Sequence, residues 1–71
     1  MKSAEKWVIF LVAYDDPEIE PQVVAECIPA HEDEHLAAFL RGGEVLDVLE
    51  GNLTEAEVEG ARRAYEKNCL R

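Results

Sequence analysis

The chain has 71 residues, with sixteen acidic and seven basic side chains for a net charge of −9, which allows one small domain over residues 1–71 and no more. Such a balance excludes direct nucleic-acid binding and adhesion to anionic membranes, because phosphates and acidic headgroups would be repelled. A hydrophobic fraction of 48% is ordinary for a globular protein and argues against disorder of the whole chain.

Met1–Glu5 is polar and reads as a frayed start. Lys6–Tyr14 follows with Trp7, Val8, Ile9, Phe10, Val12 and Tyr14, a β-branched and aromatic run that reads as a strand over about 6–14. It does not alternate, so it is expected to be central or covered on both faces. Eight apolar residues in a row, Trp7–Tyr14, are too few to cross a bilayer, which takes about 20. They are followed by Asp15, Asp16 and Pro17 and not by a small-residue cleavage site, so no secretory signal is expected. With Cys27 and Cys69 too few for a disulfide framework, the expectation is a cytoplasmic protein with two free thiols; a bridge between the two stays open.

Asp15–Gln22 contains Pro17 and Pro21 and reads as a loop that Asp16 initiates. A second strand is expected over about 22–28, antiparallel to the first, with Val23, Ala25 and Cys27 on a buried face and Glu26 on the wetter one. After Pro29, His31–Arg41 reads as a helix. Its acids Glu32, Asp33 and Glu34 suit the positive end of the dipole, and Leu36, Phe39 and Leu40 form one apolar face. Gly42-Gly43 stops it. Residues 44–50, EVLDVLE, are open between a short helix and a third strand; missing alternation favours the helix. Gly51-Asn52 then breaks the chain. The last helix, about 55–69, opens on a capping box of Thr54 and Glu57 with Leu53 and Val58 placed as a hydrophobic staple. Val58, Ala61, Tyr65 and Cys69 make its apolar stripe. Its acids lead (Glu55, Glu57, Glu59) and its bases trail (Arg62, Arg63, Lys67, Arg71), as its dipole prefers.

The fold class that follows is α+β: a two- or three-stranded antiparallel sheet with helices about 31–41 and 55–69 packed on one face. With two strands, one edge of the 7–14 strand stays unpaired, and a homodimer that continues the sheet at that edge, or packs the apolar faces of two copies together, is the expected remedy.

His31-Glu32-Asp33-Glu34-His35 fits the pattern H-E-x-x-H and resembles the zinc-binding helix of zincin metalloproteases. The resemblance implies His31 and His35 as metal ligands and Glu32 as the base of a zinc-dependent hydrolase. It spans five residues, and Asp33 and Glu34 stand where the family's helix is apolar. An adventitious zinc or nickel ion on two surface histidines fits these residues better than catalysis does. Cys27 lies close to His31 in sequence, a thiol–imidazole pairing that can make a nucleophile, but a cysteine on a buried strand face acts as a small hydrophobe.

The charge is uneven: residues 15–59 hold fourteen of the acids against Arg41 alone. Asp15, Asp16, Glu18 and Glu20 crowd one loop and Glu32, Asp33 and Glu34 the start of a helix, and together they are expected to form one acidic partner-binding surface. The expectation is a small non-enzymatic protein-interaction module, a regulator or inhibitor of another protein with a basic surface, with no cofactor. The alternative is an acidic nucleic-acid mimic, since the charge balance is similar to that of small anti-CRISPR and anti-restriction proteins. A second alternative is a metal-binding protein that uses the HEDEH stretch.

Overall fold

The computed structural model describes residues 5–49 and 53–69, with the backbone alone at Cys69. The expected fray at Met1–Glu5 (apart from Glu5 itself), the break at Gly51-Asn52 and the basic end at Arg71 lie outside the described residues. Three strands form one antiparallel sheet: β1 (Glu5–Val12), β2 (Gln22–Pro29) and β3 (Gly43–Leu49), in the order β2-β1-β3. Two helices, α1 (Glu34–Leu40) and α2 (Glu55–Cys69), complete an α+β fold. No helix among the described residues is long and apolar enough to cross a membrane.

The apolar run makes β1 the central strand. Val8, Ile9 and Phe10 are each fully buried, although they alternate between opposite faces. On one face Val8, Phe10 and Val12 pack with Ile28 of β2 and with Ala37 and Ala38 of α1. On the other, Ile9 and Val23 are buried, and the helix that lies against β2 is α2, whose Val58 is buried as well. The helices therefore cover opposite faces, not one. The physical reason is the run itself: a strand apolar on both sides needs a cover on both sides.

β3 occupies the side of β1 away from β2, pairing Trp7 with Leu49 and Val12 with Gly43. No edge of the 7–14 strand is left for a second copy, so the dimer route through that edge is closed. Of the two readings open for 44–50, the third strand is the one formed, as far as Leu49, in place of the favoured helix: the segment pairs with β1, and a register slip between Ile9 and Phe10 removes its alternation. Ile9 faces Asp47 and Phe10 faces Val45, which leaves Leu46 as the extra residue of a bulge. The bulge turns Val45 and Val48 to the same packed face. The missing alternation that favours a helix in the sequence is here produced by a kinked strand.

α1 is shorter than expected. Asp33 is its N-cap, its carboxylate accepting from the backbone N–H of His35 (2.9 Å) and of Leu36 (3.3 Å). Ala37 and Ala38 face the sheet, whereas Leu36, Phe39 and Leu40 are 54%, 75% and 74% exposed. The expected apolar face exists but points to solvent. Small side chains let the helix sit close to β1 and β3, and the three large residues of α1 are pushed outward.

Candidate interaction face

The exposed face of α1 is held in place from beneath. Arg41, at the C-cap, sends Nε and Nη2 to the two carboxylate oxygens of Glu26 on β2, at 2.9 and 2.8 Å. Its Nη1 donates to the Ala37 carbonyl at 2.8 Å, and its guanidinium lies 5.1 Å from the Phe10 ring centroid. The fork-on-fork bond to Arg41 holds the Glu26 carboxyl below its usual pKa. At the other end Lys6 Nζ donates to the Glu32 carbonyl (2.8 Å) and to the Glu34 carboxylate (2.6 Å), and this bond lowers the Glu34 pKa. Gly42, at φ +74°, closes the helix in the left-handed region as the sequence implies. Its carbonyl accepts from Ala13 N–H at 3.2 Å, which fastens the end of α1 to the end of β1.

That fastening puts the loop after β1 beside the C-terminal end of α1. Tyr14 and Ile19 of this loop are 45% and 44% exposed. Asp16 shapes the loop by accepting from Glu18 N–H (2.9 Å, side chain) and Ile19 N–H (3.0 Å, carbonyl). A shallow cleft lined by Leu11, Ala13, Gly42, Gly43 and Glu44 opens at this same end of the sheet.

The two acidic groups do not merge. Asp15, Asp16, Glu18 and Glu20 follow the end of β1; Glu32, Asp33 and Glu34 follow the end of β2, which pairs with the start of β1. Seven residue steps of an antiparallel strand separate the two, about 24 Å. α1 runs between them and shows its apolar stripe along the way. The surface is thus acidic at both ends and apolar in the middle, an arrangement that charge counting along the sequence did not reveal.

The metal ligands expected from HEDEH are not brought together as a helical pair. His31 precedes the N-cap in an exposed turn closed by Glu32 N–H on the Pro29 carbonyl (3.0 Å), so only His35 is on the helix. Its Nε2 lies 3.9 Å from the Glu34 carboxylate, with the imidazole 78% exposed. Among the described residues no group of three or more His, Cys, Asp or Glu side chains is disposed to hold an ion. Cys27, expected on a buried face, is exposed and free. Partial desolvation and then the adjacent Glu5 carboxylate raise its pKa, which keeps it a neutral thiol and a poor nucleophile. It stands on the face that α2 covers only in part, so its strand position did not predict its exposure.

On α2 the capping box is formed: Thr54 N–H donates to Glu57 Oε1 at 2.9 Å, and Glu57 N–H to Thr54 Oγ1 at 3.2 Å. The sequence marks Arg62 only as a dipole-matching base. It also grips the sheet: its Nη1 donates to the Val23 carbonyl at 3.0 Å and to Glu66 at 3.3 Å, while Nε and Nη2 donate to the two carboxylate oxygens of Glu59. Tyr65 Oη donates to Asp47 of β3 at 2.7 Å, tying the helix across the sheet. No family model, no curated protein and no solved structure matches this chain.

Proposed function

We propose that the chain is a small, non-enzymatic protein-interaction module that regulates or inhibits another protein with a basic surface. The observation that carries this reading is the exposure of Leu36, Phe39 and Leu40 on a helix whose inward side is already satisfied by Ala37, Ala38 and the Arg41–Glu26 pair. Large apolar side chains grouped in water are the usual mark of a surface that binds. A cytoplasmic setting suits the free thiol of Cys27.

The test is affinity capture from the native host by the wild-type chain and by Phe39→Ser/Leu40→Ser, both checked for folding by circular dichroism. A partner held by the wild type and lost by the double variant supports the module. Identical captures from both would overturn this role for the helix face.

The nucleic-acid mimic is the second reading. Among the described residues Asp15, Asp16, Glu18, Glu20, Glu32 and Glu44 are exposed and have no ion-pair partner, and such carboxylates are suited to replace phosphates on a basic groove. Its mark is a partner lost when Asp15, Asp16, Glu18 and Glu20 are neutralised together but kept by the apolar double variant.

A further inference from the structure

We infer that the α1 face seats an amphipathic helix of another protein, about 16 residues long, whose apolar middle covers Leu36, Phe39 and Leu40 and whose two ends carry Lys or Arg. This rests on the interaction-module reading and names the chemistry of the partner.

Leu36, Phe39 and Leu40 fall at i, i+3 and i+4, a ridge of the kind into which another helix packs. Charge complementarity decides what lies beyond the ridge. Past the N-terminal end of α1 stand Glu32 and Asp33, both exposed. Past its C-terminal end stand Asp15, Asp16, Glu18 and Glu20. The cations nearest the helix are already engaged within the chain, Lys6 by Glu34 and Arg41 by Glu26. Among the described residues beside α1, both cations are thus taken up in ion pairs, and a visitor meets exposed carboxylates at both ends. The ends are about 24 Å apart by strand rise, which a helix spans in about 16 residues.

Other occupants fit less well. A second copy would bring −9 against −9. A patch of this type exposes about 300–600 Å², while a stable dimer buries about 800 Å² per partner. An anionic lipid surface is repelled by the same acids.

The test uses three synthetic helical peptides of equal length sharing one Leu stripe: one with Lys at both ends, one with Gln at those positions, one with all the Lys at a single end. Binding to the full chain is followed by calorimetry at about 50 mM and about 300 mM NaCl. The Lys-ended peptide is expected to bind more tightly than either other peptide by about tenfold, and to weaken with salt. Phe39→Ser/Leu40→Ser is expected to weaken it by about tenfold, as is neutralising either acidic end with Asn and Gln. Glu32→Gln/Asp33→Asn serves at one end because Asn still caps the helix. Equal binding by all three peptides, unchanged binding to the apolar double variant, or no binding at about 100 μM would overturn the inference. So would a wild-type dimer in sedimentation that the double variant abolishes, since a second copy would then be the occupant.

Failure here is separable from failure of the module. A host partner that survives the double variant while the peptide pattern is absent leaves a module working through another surface. The peptide pattern without any host partner leaves the face's chemistry standing and removes the module.

Discussion

Gly42 and Gly43 look alike in sequence and do different work. Gly42 is in the left-handed region at φ +74°, where a side chain meets its own backbone. Gly43 is not, but a Cβ there would run into the Leu11 carbonyl oxygen and lie 2.9 Å from Val12 Cα. Backbone has nowhere to retreat in a paired strand, so Gly43→Ala should cost about 2 kcal/mol and loosen β3, against about 1 kcal/mol for Gly42→Ala. Urea unfolding gives both values, and equal losses would show that the strand yields. Arg41 is the second residue of consequence. Arg41→Ala removes a bidentate ion pair, a bond to the Ala37 carbonyl and the cover of Phe10, so a loss of about 2 kcal/mol is expected in the same measurement. Arg41→Lys should recover only part, because an ammonium cannot reproduce the fork.

At the scale of the element, α1 separates what anchors it from what it displays. Ala38 is 1% exposed and Phe39 is 75% exposed, one residue apart. Ala38→Leu should therefore destabilise by about 2 kcal/mol through overpacking, while Phe39→Ser stays within about 0.5 kcal/mol. The opposite ranking in thermal unfolding would mean that the helix is turned the other way. In α2 the Arg62 guanidinium, and then that of Arg63, hold the Glu59 pKa down at about 2 from its ordinary 4.5. Because the folded value is the lower one, the ionised carboxylate favours the folded state. The contribution is complete above pH 4.5 and fades as pH falls towards about 2. Glu59 is 44% exposed, so water screens much of it. Melting curves through that window should fall more steeply for the wild type than for Glu59→Gln; parallel curves would remove Glu59 from the account.

For the whole molecule, charge works against compactness. Among the described residues Lys6, Arg41, Arg62 and Arg63 are tied to carboxylates within the chain, and most of the acids remain unopposed. Added salt screens repulsion among them more than it weakens the close pairs. The melting temperature should rise between about 10 mM and about 500 mM NaCl, and a fall would show that the ion pairs dominate. The same field that opposes folding supplies the attraction proposed for a cationic helix.

Much of this was legible in the chain. The composition of Lys6–Tyr14 set a strand, its lack of alternation set a cover on both faces, and Thr54 with Glu57 set the start of α2. These are local, because side-chain shape, periodicity and capping act within a few residues. The nature of 44–50 was not legible, since a bulge reproduces helical spacing and only pairing with β1 tells them apart. Nor was the outward turn of Leu36, Phe39 and Leu40, because spacing gives a helix two candidate inner faces and Ala37 with Ala38 fit closer to the sheet. The histidines of HEDEH parted where Asp33 took the N-cap, one residue before the helix. Tertiary structure alone drew the two acidic stretches to opposite ends: distance along a chain does not say which end of a strand a loop will leave from, and pairing partners do.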